Sequence, residues 1–270
     1  MPKYRVDSNC MGCGTCTLVC PAKILVMESG LPVMPSQYES VCLKCGQCIA
    51  YCPAKANRLE GFEGTEVENA PRFNPAGAQN IIGLLKNRRS YRSFARGPVA
   101  REVTEKILEA ANFYPSAVNA RPVRWVVVDD PAKVRELSGL ICDWFASLIG
   151  TDSPMAAKAE KLVSRYRGGD EFVFRGAPAA VFAVTPKASA VWGETDAAIA
   201  ATYFNLAAEA FDIGCTFAGY AVIAAKNSPE VQAYLGLSAD EVVRCGLFYG
   251  KKTIHAVRIP QRPIVPATFL

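Results

Sequence analysis

Cys10, Cys13, Cys16 and Cys20 return 32 residues later as Cys42, Cys45, Cys48 and Cys52, and each set runs into Pro-Ala-Lys. Two copies of C-x2-C-x2-C-x3-C-P constrain this chain more than any other feature. Thiolates are the usual protein ligands of 4Fe-4S cubes. Three of them at x2 spacing converge on three corners of one cube while the amides between them turn toward its sulfides, and Gly12, Gly14 and Gly46 allow that close backbone approach. Four-cysteine zinc sites also use C-x2-C pairs, but seldom add a third cysteine at x2 and a fourth before proline. A disulfide framework fits less well, because residues 1–10 read as no secretory signal and disulfide-dense chains belong to oxidising compartments. The expected role is ligation in a reducing compartment, the cytoplasm.

The duplicated run resembles the two-cluster bacterial-type ferredoxins. That resemblance implies crosswise ligation, in which the fourth cysteine of each run closes the other run's cluster. Cys10, Cys13, Cys16 and Cys52 would hold one cube, and Cys20, Cys42, Cys45 and Cys48 the second.

A ferredoxin of this kind uses only the first quarter of the 270 residues, and length permits a second domain. No apolar run reaches the roughly 18 residues of a membrane span; Leu137 to Gly150 is too short and holds Asp143. Residues 1–70 carry 6 basic and 7 acidic side chains against 24 and 18 in residues 71–270, so the net charge of +5 lies in the second part. Arg88, Arg89, Arg92 and Arg96 group together without the aromatic-rich strands of single-strand binders, which favours a small phosphate over nucleic acid.

Between the cysteine runs, Ile24–Met27 and Leu31–Met34 read as short strands around a Ser29-Gly30 turn. Turn residues and glutamates then mark a connector over 63–77, which divides a cluster domain (1–62) from a second domain (78–270). Helical spacing begins at Ile81, Ile82, Leu84 and Leu85, and a second helix runs over Val99–Phe113 with Val103, Ile107, Leu108 and Ala111 as its buried stripe. Trp125–Val128, Ala179–Val184 and Val242–Tyr249 read as strands. Ala132–Ile149 and Thr195–Phe211 read as helices, the second with Ile199, Tyr203, Leu206 and Ala210 on one side, and shorter helices are expected near Ala221 and Glu230. Helices and strands interleave, giving an α+β or α/β domain.

Three segments of this domain carry chemistry. Arg88-Arg89-Ser90-Tyr91-Arg92-Ser93-Phe94 offers forked guanidinium groups and a hydroxyl to a phosphate or polyol, or forms a basic helix end that suits the helix dipole. Tyr114 to Pro122 is a loop of small and amide-bearing residues suited to packing on a planar ring. Ile213 to Tyr220, just after the long helix, reads as a glycine-bearing turn that admits close approach. The G-x-G at Gly12 and Gly14 lies inside a cysteine run and opens no dinucleotide fold.

The R-R-S-x-R-x-F and P-S-A-x-N-x-x-P elements, the Arg175-Gly176-Ala177-Pro178 lead into a strand, the G-x-x-x-A-G turn and Arg258-Ile259-Pro260-Gln261-Arg262 together resemble the FMN-dependent nitroreductase family. With the cysteine runs, the whole chain is similar to fused ferredoxin-nitroreductase proteins of anaerobes. The resemblance implies an α+β fold on an antiparallel-rich sheet, with FMN at the interface of a homodimer. It assigns Arg88, Arg89, Ser90 and Arg92 to the phosphate and ribityl chain, with Arg258 and Arg262 completing the phosphate site. It places Pro115, Ser116, Ala117 and Asn119 of the partner subunit against the flavin, and Ala218 and Gly219 near its reactive edge. The chain departs from the family pattern at Arg121, Pro122 and Val123. No catalytic side chain is assigned, because the cofactor itself carries the electrons.

The activity implied is electron passage from two 4Fe-4S clusters through FMN to a small organic acceptor such as a nitroaromatic or quinone-like compound. Reduced ferredoxin or NAD(P)H would serve as external donor. Alternatives on the same fold are dehalogenation, ene reduction or flavin breakdown, and outside enzymes an electron relay without a small substrate. Cys142, Cys215 and Cys245 are expected to be buried free thiols, and His255 to be structural or solvent-facing.

Overall fold

The computed structural model describes residues 4–62, 75–189, 191–260 and 266–270. The chain divides into two compact units, Met1–Arg72 with Ala117–Ala120, and Phe73–Ser116 with Arg121–Leu270. Most of the expected connector, 63–74, lies outside the described residues.

The first unit is small and built from short elements: β1 (Tyr4–Val6), α1 (Thr15–Val19), β2 (Val26–Glu28), β3 (Leu31–Val33), α2 (Gln47–Ala50) and β4 (Asn57–Leu59). Strands β2 and β3 form the expected hairpin, with Glu28 opposite Leu31 and with Ser29 and Gly30 both at positive φ. Such a two-residue loop matches the twist of its flanking strands. Strand β1 pairs antiparallel with β4, which links the start of the unit to the residues after the second cysteine run. The core is correspondingly small: Ile24, Leu25 and Leu59 pack with the sulfurs of Cys16, Cys20 and Cys48.

The second unit contains α3 (Pro75–Asn87), α4 (Arg101–Ala111), β5 (Arg124–Val128), α5 (Pro131–Ala146), α6 (Ala156–Arg167), β6 (Ala179–Pro186), α7 (Gly193–Glu209), β7 (Ile213–Phe217), α8 (Gly219–Asn227), α9 (Pro229–Tyr234) and β8 (Glu241–Lys251). Helix α3 starts six residues before the apolar spacing at Ile81, with proline at its first position, where the missing N–H costs nothing. The four strands form one sheet in the order β5-β6-β8-β7, and every pairing is antiparallel. The observed architecture is the expected α+β one.

Strand β6 explains why the sheet is covered on both faces. Its residues alternate with the period of two that a strand imposes: Ala180, Phe182 and Val184 enter a core with α5, α6, α8 and α9, while Ala179 and Val181 enter a second core with α4 and α7. The two layers need apolar residues at every position, and β6 is buried from Ala179 to Thr185.

Two expectations change here. On α7 the face that packs is Ala197, Ala200, Ala201, Phe204 and Ala208, because alanines let the helix lie close to the sheet; Ile199, Tyr203, Leu206 and Ala210 lie on the more open side. The segment Ile213–Phe217, read as a turn, is edge strand β7, paired along its length with β8.

Candidate functional site

The duplicated cysteine sequence folds as a duplicated structure. Gly14 and Gly46 adopt left-handed φ values of 71° and 70° and start α1 and α2, which carry the buried Cys16 and Cys48. Glycine takes that conformation without a Cβ clash. Each copy ends in the same turn: the N–H groups of Lys23 and Lys55 donate to Cys20 O and Cys52 O, both at 3.1 Å.

Cys20, Cys42, Cys45 and Cys48 line one small cavity of ≈ 20 Å³, walled by apolar side chains that include Ile24, Leu25, Met34 and Leu59, and Cys52 is not part of its wall. This is one of the two crosswise sets. Among the described residues no three His, Cys, Asp or Glu side chains group closely enough for a single metal ion.

Hydrogen bonds reach the sulfurs as well. Ala56 N donates to Cys52 Sγ at 3.2 Å, and Cys13 Sγ lies 3.3 Å from Thr15 Oγ1, a contact that lowers the Cys13 thiol pKa. Burial pushes the Cys48 thiol up to about 11, so its use as a ligand is coupled to proton release. Asn57, itself buried, accepts from the Tyr4 hydroxyl at 2.5 Å and donates to Cys48 O at 2.7 Å, which straps the β1-β4 pair to α2. Burial and the neighbouring Cys16 sulfur raise the Tyr4 phenol pKa.

In the second unit the arginine segment is laid across the end of the sheet. Tyr91 N donates to Cys215 O at 2.9 Å, Thr216 Oγ1 donates to Tyr91 O, and Ala95 N donates to Lys251 O at 3.0 Å. The Tyr91 hydroxyl accepts from Thr253 N and Ile254 N, each at 2.7 Å. Its ring lies over Gly214, where a Cβ would stand 2.5 Å from the ring's Cγ. Tyr91 therefore pins the segment to β7.

On either side of Tyr91 the arginines diverge. Arg89 Nη1 donates to Lys86 O (2.7 Å) and Arg88 O (2.9 Å), capping the end of α3, and Arg89 lines a cavity of ≈ 50 Å³ with Glu209, Lys252 and His255. The basic-helix-end reading thus describes part of what Arg89 does. Arg92 instead lines a larger cavity of ≈ 380 Å³ that also takes in Thr216, Phe217, Gly219 and Tyr220. Space at Gly219 is open, with no atom within 4 Å of where a Cβ would be. Ala218 is buried and donates its N–H to Gly246 O at 2.8 Å, fixing the start of α8. Arg88 is half-buried; Ser90 and Arg258 are exposed. Arg262 lies outside the described residues.

The loop from Tyr114 is tightly held. Ser116 Oγ accepts from Arg121 N at 2.9 Å, and the Tyr114 hydroxyl accepts from Val123 N at 3.3 Å. Val118, Asn119 and Arg121 stand at φ of 48°, 55° and 47°, a region costly for residues with a Cβ and most of all for a β-branched one. Pro115 is exposed and Ser116 half-buried. Ala117–Ala120 groups with the first unit, where Asn119 Nδ2 donates to Leu43 O (3.1 Å) and Lys44 O (3.3 Å).

Cys142 and Cys215 are buried and Cys245 half-buried; burial raises all three thiols, Cys142 to about 12. His255 is exposed, its Nε2 2.7 Å from Asp212 Oδ1. Lys158 and Phe172 line this cavity without having been singled out in the sequence, and Arg175, read there only as part of a lead into a strand, lines it too. Lys158 comes from α6, whose Ala159, Leu162, Val163 and Tyr166 do carry helical spacing but among many charges. Phe172 and Arg175 come from an irregular loop with no periodic signal.

Comparison with known proteins agrees with this geometry. Residues 85–251 match the nitroreductase family profile, and residues 9–57 match a 4Fe-4S dicluster domain. The 5,6-dimethylbenzimidazole synthase of Rhodospirillum rubrum is 33% identical over 79 residues, which is 29% of this chain; the match spans 36% of that relative's length. A nitroreductase with bound FMN from Bacteroides fragilis superimposes with a TM-score of 0.57 at 24% identity, covering 70% of this chain and 97% of that one. A BluB-like flavoprotein of Clostridium difficile gives 0.54 at 19% identity, covering 70% and 98%. At these identities the structural likeness establishes the fold. No helix among the described residues is long and apolar enough to cross a membrane. The family profile spans more than half of the sequence, so the chain belongs to the nitroreductase family and carries a 4Fe-4S dicluster domain ahead of that family's fold.

Proposed function

We propose that this chain is a cytoplasmic iron-sulfur flavoenzyme that delivers electrons, by way of two 4Fe-4S clusters and FMN, to a small organic acceptor such as a nitroaromatic or quinone-like compound. The observation that carries the reading is the open cavity bounded by Arg92, Thr216 and Gly219, in a chain that also gathers four cysteines around a second, apolar-walled cavity. An electron relay without a small substrate would have no use for an open chamber beside the flavin. When bound, FMN supplies two-electron chemistry and the clusters supply single electrons; reducing a nitro group to a nitroso group consumes two electrons and two protons and releases water.

The chain's own residues do the rest. Arg88, Arg89, Ser90, Arg92 and Arg258, with Arg262, hold the phosphate and ribityl chain through charge-assisted hydrogen bonds. Ala218 and Gly219 present backbone beside the ring edge, where the missing side chain of Gly219 leaves room. Pro115, Ser116, Ala117 and Asn119 of the partner subunit complete the flavin site in a homodimer. Ile81, Ile82 and Leu85 support that dimer: they stand 61%, 42% and 55% exposed on α3, an apolar stripe that isolated chains seldom leave bare.

Crosswise ligation by Cys10, Cys13, Cys16 and Cys52 and by Cys20, Cys42, Cys45 and Cys48 is supported by the cavity that the second set lines. The apolar wall keeps water from those thiolates and tunes the cluster potential. Covalent fusion keeps the electron source at high effective concentration near the flavin, and eight cysteines kept as ligands suit a reducing compartment.

Anaerobic turnover with a panel of nitro, quinone, enone and halo-aromatic acceptors, with reduced ferredoxin or NAD(P)H as donor, tests the reading. Reduction of nitro or quinone compounds is expected; no reduction of any acceptor would refute it. A second reading, flavin breakdown, is favoured by the partial match to the dimethylbenzimidazole synthase. Formation of dimethylbenzimidazole from reduced FMN in air would establish it instead.

A further inference from the structure

The ≈ 380 Å³ cavity carries a charge pattern as well as space. Arg92, Lys158 and Arg175 reach it from three separate parts of the chain, and among the described residues no Asp or Glu lines it. Neighbouring cations are neutralised: Arg165 pairs with Asp170, and Arg244 and Lys226 with Glu194. Lys158 and Arg175, by contrast, have no carboxylate partner among the described residues. A concavity lined by one sign of charge focuses its field on a ligand of the opposite sign.

Aromatic side chains share this lining with the cations. Phe172, Phe217 and Tyr220 line the same space, and the Phe172 ring carries the Arg175 guanidinium 3.8 Å and that of Arg165 4.0 Å from its centroid. The fold spends structure to hold this loop. Arg175 stands at φ 57°, a left-handed conformation that costs on the order of 1 kcal/mol for a residue with a Cβ. Glu171 keeps it there, accepting from Phe174 N (3.0 Å), Gly176 N (2.6 Å) and Ser138 Oγ (2.6 Å). Strain maintained by a dedicated carboxylate marks Arg175 as positioned rather than incidental.

We propose that this cavity selects a planar acceptor bearing a carboxylate, its ring against the aromatic side chains and its anionic group met by Lys158 and Arg175. The inference rests on the reductase reading above, with the FMN phosphate held by the other arginines.

The test is calorimetric titration of the oxidised, FMN-loaded protein, without electron donor, with 4-nitrobenzoate and with its methyl ester. The acid should bind about tenfold more tightly than the ester, as one recovered ion pair would give. Lys158→Gln, at an exposed position, and Arg175→Gln should each erase that preference while the ester's affinity changes less than about twofold and flavin content stays equal to wild type. Equal affinity for acid and ester, no saturable binding of the acid, or loss of FMN on either substitution would overturn the proposal; the last would assign these cations to the cofactor. Donor-driven reduction of the methyl ester, measured separately, reports on the reductase reading alone.

Discussion

Replacing Gly214 by alanine tests the most exacting contact in the second unit. A Cβ there would lie 2.5, 2.6 and 2.7 Å from the Cγ, Cδ1 and Cβ of Tyr91. Carbon atoms settle at about 3.5–4.0 Å, so one side must move by about 1 Å. Tyr91 cannot simply rotate away, because its Cβ and Cγ sit next to a backbone bonded to Cys215 O and to the Thr216 hydroxyl. The strain, about 1–3 kcal/mol for an overpacked site, then has two outlets. If the arginine segment stays in place, the second unit loses stability, with a midpoint lowered by roughly 2–4 °C per kcal/mol. If the segment lifts off β7, Arg88 to Arg92 leave their positions and FMN binding weakens, about tenfold for each 1.4 kcal/mol. Thermal unfolding and FMN fluorescence titration, run on the same protein, should together account for the strain. Tyr91→Ala added to Gly214→Ala removes the clash, so the double variant should be no worse than Tyr91→Ala alone within about 0.5 kcal/mol. Unchanged stability and unchanged FMN affinity in Gly214→Ala would refute the idea that Tyr91 pins the segment.

Other outcomes follow from the same contacts. The Glu241 carboxyl is held down to about 2 by the Arg124 fork and then by Ser238 N–H. Its folded pKa lies below the unfolded value of about 4.3, so the contribution is complete at neutral pH and is lost as pH falls from about 4 toward 2. Arg124 is half-exposed, so Arg124→Met should cost only about 1 kcal/mol at pH 7, with the gap narrowing below pH 4 in urea unfolding; a gap independent of pH would count against the pair. Cys142 and Cys215 are 3% and 0% exposed with thiols raised by burial. Iodoacetamide should leave both unlabelled in the native protein and modify them in denaturant, as mass spectrometry of tryptic peptides would show.

What could be read in the sequence depended on how local its cause is. The cysteine spacing encodes the cluster unit outright, because four-residue turns at Gly14 and Gly46 determine where the next thiol points. The helices α4 and α5 and the strands β5, β6 and β8 follow from periodicity and burial. By contrast, Ile213–Phe217 carries three small or polar residues in five, Gly214, Cys215 and Thr216, and is paired as a strand along its length with β8. The packed face of α7 was missed for a related reason: the helix is apolar nearly all round, and the close fit of its alanines to the sheet decides what a larger stripe does not. At the candidate site, Arg92 and Gly219, from two separate motifs, line one cavity. The separation of Arg89 from Arg92, the anchor at Tyr91 and the cation Lys158 are products of tertiary packing, and no local pattern announces them; Arg175 was legible as part of a motif but not as part of this cavity.

The central claim, that the cysteine-bound clusters feed the flavin, is most directly tested by single-turnover electron delivery. Wild-type protein and a Cys20→Ser, Cys52→Ser variant, both loaded with FMN, are mixed anaerobically with reduced ferredoxin, and flavin bleaching and acceptor reduction are followed. If Cys20 and Cys52 each supply the fourth ligand of a cube, the variant should retain its FMN but lose most of its iron, and both rates should fall by at least about tenfold, a 1.4 kcal/mol increase in barrier. Bleaching at the wild-type rate in a variant shown to lack clusters would contradict the account.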